Sequence, residues 1–303
     1  MSFDLYFAGS QNEICENWML NNNCCRLQSQ INDRRTIQKW VETEKHGKLF
    51  IDSGAYTAYT KQTEVNVDEY IDYVNGIDQG LTLFAQVDKI PGKHGQEKTL
   101  QDIQEAPILS WENYLYMREK VISPDKLLPI FHRRESWKYL EQMLETTFNG
   151  KHIPYIGIAA TTDSSTKEKE EWFNKVFHVI RNSSNPNVKT HAFGMTSLKL
   201  LENFPFTSAD STGWIMTGAN GAIMSPFGVI YVSNKDTTAP DHVLNINPEL
   251  LKEFKQYLQE MEISFDAICE DYKERMLANL KYLKRWSDNY VYKGNTVYKK
   301  SLF

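Results

Sequence analysis

Eight short strand-like runs, spaced along 303 residues, constrain the fold of this chain more than any other feature. They lie at 3–8, 49–52, 83–88, 127–132, 155–160, 188–193, 207–211 and 229–233. Several are apolar at consecutive rather than alternate positions, the pattern of a strand whose two faces are both covered, as in a parallel sheet under helices. Segments of helical spacing separate them. The stretch 34–45 sets Ile37, Trp40 and Val41 on one stripe, and 67–78 sets Tyr70, Val74 and Ile77 on one, with Tyr73 beside them. Trp137, Leu140, Met143 and Leu144 do the same in 135–148, as do Trp172, Val176, Val179 and Ile180 in 169–181. Asn247-Pro248 supplies a cap and a first-turn proline for a helix over 249–261. A last helix over 265–286 carries Ile268, Tyr272, Met276, Leu280 and Leu283.

Strands alternating with helices predict an α/β chain folded as a (β/α)8 barrel over 1–245, with C-terminal helices and a basic tail over 246–303 packed on it. The other arrangement is an open doubly wound sheet, but no Gly-x-Gly-x-x-Gly follows the first run to bind a dinucleotide. No internal repeat or long linker interrupts the pattern, and the polar stretch TTDSSTKEK at 161–169 reads as a loop between strand and helix.

Composition enters as exclusion. With 41% hydrophobic and 24% charged residues the chain has the makeup of a folded protein. No apolar run approaches the ~20 residues of a membrane span, and the N-terminus lacks a signal-peptide pattern, so a cytoplasmic protein is expected. Cys15, Cys24, Cys25 and Cys269 form neither a disulfide ladder nor a zinc spacing. The adjacent Cys24-Cys25 reads as two reduced thiols on a helical segment, with a redox pair as the alternative. A net charge of -5 gives no global pull on nucleic acid. Between positions 273 and 300, however, eight Lys/Arg face only Glu274 and Asp288. Such an end is a solvated helix face or a docking place for a polyanion.

In a barrel of this kind the active site is built at the C-terminal ends of the strands. There the runs end on chemistry: Asp52, Asp88 and His132 close the second, third and fourth, Gly157 and Ala159-Ala160 mark the fifth, His191 to Gly194 the sixth, and Asp210 the seventh. Each has a local explanation. Asp52 suits a helix cap, Asp88 a turn, His132 a structural histidine and Asp210 a loop. Their coincidence at one barrel end reads instead as a site. No Asp-x-Asp or Glu cluster specifically suggests magnesium. Two carboxylates can work at an anomeric carbon, one as nucleophile and one transferring protons. Tyr56 and Phe193 offer flat surfaces beside them, which together with a carboxylate suit a planar heterocycle carrying N–H donors.

Five stretches in order, DSGAY at 52–56, QVDKIPG at 86–92, LPIFH at 128–132, YIGIAA at 155–160 and HAFGMTSLKLLENFPFTSADST at 191–212, resemble the tRNA-guanine transglycosylases. The similarity is closer to their shorter, often phage-encoded relatives that put 7-deazaguanines into DNA, the DpdA group, and it covers roughly residues 3–233. The resemblance implies a glycosyltransferase that exchanges guanine for a free 7-deazaguanine base, such as 7-cyano-7-deazaguanine, without cutting the backbone. It makes Asp210 the nucleophile that holds the sugar and Asp52 the general acid/base. Tyr56 would stack on the base, Asp88 would accept its N–H groups, and Gly157 would bring backbone close to it. His191, Phe193 or both would form the opposite wall, and His132 stands where the tRNA enzymes usually carry a glutamine.

One departure bears on the substrate. The tRNA enzymes carry a Cys-x-Cys-x-x-Cys and His zinc site after the nucleophile strand, whereas the only cysteine after Asp210 is Cys269. No zinc subdomain, metal or cofactor is therefore expected, and DNA is preferred to tRNA as the partner. Arg133, Arg134, Lys281, Lys284 and Arg285 become candidate phosphate contacts. No membrane partner is expected, a homodimer is compatible, and a phage-encoded enzyme would work in the host cytoplasm. The alternatives are the same exchange on tRNA, a TIM-barrel glycoside hydrolase using Asp52 and Asp210, and a non-catalytic nucleic-acid-binding barrel.

Overall fold

The computed structural model describes residues 3–9, 12–31, 34–43, 47–160, 164–195 and 197–294. The end of the helix expected over 34–45, the start of the loop expected over 161–169, and Lys299 and Lys300 of the basic tail lie outside the described residues. The central strands are β1 (Asp4–Ala8), β2 (Cys25–Ser29), β3 (Leu49–Asp52) and β4 (Leu83–Ala85). They continue with β5, in two pieces (Leu127–Leu128 and Ile130–His132), β6 (Tyr155–Ala159), β7 (Lys189–Phe193) and β8 (Ser208–Ser211). All pair in parallel, and β1 lies between β2 and β8. The first piece of β5 pairs with β4 and the second with β6, so the sheet comes round to itself through Pro129. Proline has no N–H to give a ladder, and the chain changes neighbour at that residue. The result is a parallel α/β barrel of TIM-like topology.

The expected strand set needs two corrections. Residues 229–233 do not supply a barrel strand: Gly228–Tyr231 (β10) pairs antiparallel with Ala222–Ser225 (β9) in a separate hairpin. The barrel strand absent from the expectation is β2, where Cys24-Cys25 was expected on a helix. Its sequence, CRLQS, hides the signal because Arg26 and Gln28 face the surrounding helices rather than water. Arg26 is fully buried and donates to the Phe7 carbonyl and to Glu16 Oε1, so its charge is matched inside the helix layer. Burial pushes the Cys24 thiol up to about 12 and the Cys25 thiol up to about 11, which leaves both poor nucleophiles.

Around the barrel run α1 (Glu13–Asn21), α2 (Arg34–Glu42), α3 (Ala55–Thr60), α4 (Val67–Gly76), α5 (Leu100–Lys120), α6 (Trp137–Glu145), α7 (Thr166–Arg181), α8 (Leu198–Asn203) and α9 (Gly213–Ala219). The longest, α5, has no stripe to announce it, since Leu100, Ile103, Ile108 and Leu109 are exposed and Pro107 sits inside it. Its start is set by a reciprocal Thr99–Asp102 capping box. The main core lies between sheet and helices, and Phe7, Ile51, Phe84, Phe131 and Ile158 are the strands' outward contribution to it.

After the hairpin come α10 (Pro248–Glu260), α11 (Phe265–Glu270) and α12 (Tyr272–Asp288). Asn247 caps α10 as its sequence predicts, accepting from Leu250 N at 2.8 Å. The single helix expected over 265–286 is broken at Asp271, whose extended backbone (φ -111°) and side chain instead cap α12. Ile223, Ile230, Phe254, Leu258 and Ile268 build a second, smaller core, while Met276, Leu280 and Leu283 of α12 join the main one. None of the described helices is long and apolar enough to cross a membrane.

Candidate active site

Side chains alternate across a strand, so inward positions recur every second residue. Inside the barrel, Tyr6, Leu27, Phe50, Leu83, Leu128 and Tyr155 pack against one another. Continuing the same alternation toward the strand ends brings Ser29, Asp52, His132, Ala159, Phe193 and Asp210 inward at one end, the mouth. Asp88 joins them from just beyond β4. The structure therefore brings together the three aspartates and the histidine that the sequence singled out.

Asp52 Oδ2 accepts the Gly54 N–H at 2.9 Å, closing a turn that leads into α3. Gly54 holds φ +78°, and a Cβ there would lie 2.5 Å from Ile31 Cδ1, so only glycine fits. The cap explanation of Asp52 is thus half met: its carboxylate ties the turn through one oxygen, while Gly54 takes the N-cap position of α3 with no side-chain bond. The other oxygen takes no hydrogen bond from the described residues. Burial, with added repulsion from Asp210 and Asp88 against the Gly54 bond, pushes the Asp52 carboxyl up to about 6. Two residues into α3, Tyr56 is 69% exposed beside the mouth.

Asp88 is held on both oxygens. Its Oδ1 accepts Gln86 Nε2 at 2.6 Å, and its Oδ2 meets His132 Nε2 at 2.9 Å. Glu135 accepts the His132 backbone N–H at 3.0 Å. Burial opposes the charge on His132, but Asp88 first and then Glu135 outweigh it and raise the imidazole to about 9. His132 therefore carries a proton at neutral pH. Glu135 is itself raised, chiefly by burial.

Asp210 is only 7% exposed. Its Oδ1 accepts the Gly194 N–H at 2.8 Å and faces His191 Nε2 at 3.2 Å. His191 is fully buried, ringed by Tyr6, Phe50 and Phe193, so it supports Asp210 and does not line the mouth as a wall. Its Nδ1 lies 2.6 Å from Ser208 Oγ, which in turn lies 2.7 Å from the Tyr155 hydroxyl. Phe193 is half-buried at the mouth and covers Gly157: a Cβ on Gly157 would stand 2.5 Å from Phe193 Cε2. The missing side chain makes room for a ring, and the Gly157 backbone is not bare.

The phosphate candidates divide. Arg133 and Arg134 directly follow β5 at the mouth end, where Arg133 lies 3.6 Å from Glu168. Lys281, Lys284 and Arg285, the phosphate candidates of the C-terminal helix, lie in α12 and not at the mouth. Late in α12, Trp286 packs on Phe3 ahead of β1, ring centroids 5.7 Å apart, and Lys284 acts on Cys24 and Cys25 at the start of β2. That is the foot of the barrel, opposite the aspartates. Beside the mouth, a cleft of about 500 Å³ opens between α3 and the chain after β4, lined by Tyr59, Asp88, Lys89, Lys93, His94 and Asn113.

Sequence reasoning missed Ser29, Gln86, Glu135, Tyr155 and Ser208. Ser29 was lost with β2. Gln86, Tyr155 and Ser208 carry a signal in retrospect, a polar group two positions before a site residue within a strand-like run, as in Gln86-Val87-Asp88 and Ser208-Ala209-Asp210, whereas Glu135, three residues after His132, carries none. Among the described residues no group of three or more His, Cys, Asp and Glu is arranged to hold a metal ion. No protein-family model matches the chain, and comparison with curated proteins finds no match.

Proposed function

We propose that the chain is a base-exchange transglycosylase that replaces guanine in a nucleic acid with a 7-deazaguanine, and that its barrel is a (β/α)8 TIM barrel with a C-terminal helical extension and no zinc subdomain. One observation carries the reading: Asp52 and Asp210 share one barrel end, close enough for the charge of Asp210 to raise Asp52, while among the described residues Asp210 is pinned by one oxygen only. A carboxyl near 6 can give a proton and take it back at neutral pH. A carboxylate fixed at Oδ1 presents Oδ2 as a nucleophile.

In the first step Asp210 Oδ2 bonds to the sugar C1′. The C1′–N9 bond breaks, its electron pair leaves with guanine, and the Asp52 carboxyl protonates the departing base. In the second step the Asp52 carboxylate takes a proton from the incoming base, whose nitrogen bonds to C1′ and expels Asp210 as a carboxylate. Two displacements retain the configuration at C1′. Asp88 and the protonated His132 offer an acceptor and a donor to the edge of a heterocycle, and Tyr56 offers an exposed ring. Flipping a base out of a duplex costs a few kcal/mol, and stacking on an aromatic ring returns about 1–3 kcal/mol.

DNA stands ahead of tRNA because the sequence lacks the cysteine motif that the resemblance would place after the nucleophile strand. Phosphates, repelled by three aspartates, would be met by the cations on the mouth side, Lys89, Lys93, Arg133 and Arg134, rather than by α12. The Lys89–Glu64 pair is exposed, so its lysine is readily exchanged to a phosphate.

Incubation with labelled guanine and either DNA or tRNA tests the reading. Label is expected in DNA, together with a protein–nucleic acid adduct that survives denaturation and disappears in Asp210→Ala. Label in tRNA alone would change the polymer and keep the chemistry. Label and adduct in neither, with release of sugar from a glycoside, would replace exchange by hydrolysis.

A further inference from the structure

We infer that His191, through the buried chain Tyr155–Ser208–His191, is a positioning residue that fixes the Asp210 carboxylate with Oδ1 tied and Oδ2 presented; this rests on Asp210 being the nucleophile of the proposed exchange. The direction of each hydrogen bond is set by what its two groups can do. An ionised carboxylate only accepts, so His191 Nε2 must carry a proton to face Asp210 Oδ1 at 3.2 Å. Ser208 Oγ has one proton and lies 2.6 Å from His191 Nδ1 and 2.7 Å from the Tyr155 hydroxyl. Given to Nδ1, that proton leaves the serine oxygen to accept from Tyr155, and every polar atom in the line is matched. Of the two single-proton ring tautomers, the line selects Nε2–H.

Packing alone does not explain a histidine at this place. Tyr6, Phe50 and Phe193 set their rings edge-on to it at 5.8, 4.7 and 4.5 Å, a cage that a phenylalanine would fill with no polar group to satisfy. A buried imidazole costs free energy unless both nitrogens are bonded, and here one of those bonds goes to the nucleophile. Asp210 Oδ1 receives two donors, Nε2–H and the Gly194 N–H, and Oδ2 receives none from the described residues. As Oδ2 bonds to C1′, Oδ1 becomes the carbonyl oxygen of the ester. The same two donors then favour the return of charge when the incoming base expels the carboxylate. Misplacing a reacting atom by ~1 Å can cost about a hundredfold in rate, which sets the expected scale.

The test pairs single-turnover adduct formation with the affinity for free 7-cyano-7-deazaguanine and with ¹⁵N NMR of the His191 ring. His191→Phe is expected to slow adduct formation about a hundredfold while base affinity stays within threefold, and His191→Gln, which restores an N–H donor, to recover part of the rate. Ser208→Ala is expected to slow it about tenfold, on the scale of one lost hydrogen bond, and to let both ring tautomers appear where the wild type shows Nε2–H alone. The triple variant Tyr155→Phe, Ser208→Ala, His191→Phe replaces the line by apolar groups of similar shape and serves as the folded control, checked by a cooperative thermal transition. A His191→Phe adduct rate within threefold of wild type, or rate and base affinity falling together, overturns the positioning role. If the wild type itself forms no adduct, the exchange reading fails and the NMR decides the hydrogen-bond line alone: an Nδ1–H ring in the wild type overturns it, and an Nε2–H ring that Ser208→Ala disturbs sustains it.

Discussion

The two ends of the barrel treat charge in opposite ways. At the foot every cation that the sequence offered as a phosphate contact already has a local partner. Lys281 donates to the carbonyls of Met261 and Glu262, Lys284 pairs with Asp288 one turn on, and Arg285 reaches Met261 Sδ. Trp286 and Lys293 share Glu202, and Tyr290 holds the Leu201 carbonyl. At the mouth, three carboxylates crowd together, one of them raised to about 6, and Asp52 and Asp210 each keep an oxygen without a partner among the described residues. A charged group that closes a helix end or ties a tail has its valence filled. A charged group left open in a crowded, half-buried setting is held there at a cost, and that cost is what a reacting substrate can relieve.

The sharpest way to break this contrast is Asp52→Asn. If Asp52 transfers the proton in the proposed exchange, its loss is expected to lower the adduct-forming rate by ~10²–10⁴-fold. Stability is expected to move the other way. Because the folded Asp52 titrates near 6 rather than 3.8, the folded state holds more protons than the unfolded one between those values, so its stability falls as pH rises through that window. The ionised carboxylate then destabilises the fold at pH 7, by about 1–2 kcal/mol once partial exposure is allowed for. Asparagine keeps an oxygen for the Gly54 N–H and removes the charge. Thermal unfolding at pH 7 should show a raised Tm, and a lowered one would mean that Asp52 is structural mortar like the groups at the foot.

A second effect of packing rather than charge is expected at Gly157. A methyl group there meets Phe193 Cε2 at 2.5 Å and Ile130 Cγ1 at 3.1 Å, so Gly157→Ala must push the Phe193 ring toward the mouth. Overpacking of this kind costs about 1–3 kcal/mol. Denaturant unfolding should report it, and Phe193→Leu in the same chain should return most of the loss; a double variant no more stable than the single one would place the strain elsewhere.

How much of this was legible in the sequence depends on whether a strand hides its partners. The run at 49–52 was readable because its residues are apolar up to the carboxylate at its end, and its bounds are those of β3. CRLQS was not readable, because an arginine looks like surface until Glu16 and the Phe7 carbonyl are seen to receive it. Residues 229–233 have the composition of a barrel strand, but beyond Gly221 the chain forms a hairpin that packs on α10 and α11, and no local pattern separates the two. Asp52, Asp88 and His132 were found because they end strand-like runs, and Asp210 because it lies near the end of one. Ser208 and Tyr155 were not, since their meaning lies in a line of hydrogen bonds across three strands.

The pH dependence of the mouth gives a smaller test. His132 is raised from 6.5 to about 9 against the opposition of burial, with Asp88 the main cause. Its charged form therefore stabilises the fold fully below 6.5, and that stability is lost as pH rises through about 9. A Tm measured against pH should decline across this window in the wild type and less so in Asp88→Asn. Unchanged slopes in the two proteins would separate His132 from Asp88 in solution.

The smallest expected effect lies at the foot and bears most directly on where the nucleic acid of the proposed exchange would run. If Lys284 and Arg285 met phosphates, replacing both by Ala would lower the salt slope of nucleic-acid binding by ~0.9 per contact for a duplex. Both sit late in α12 at the foot, away from the mouth, so the slope is expected to stay as it is. Lys281→Ala is expected to lower stability by about 0.5–1.5 kcal/mol, the scale of one lost hydrogen bond to the carbonyls that end α10, with binding untouched. Lys93→Ala at the mouth-side cleft is the matched comparison: its slope should fall where the foot variants leave theirs unchanged. A reversed pattern would move the phosphate track from the mouth to α12 and take with it the division of the barrel into a working end and a supporting one.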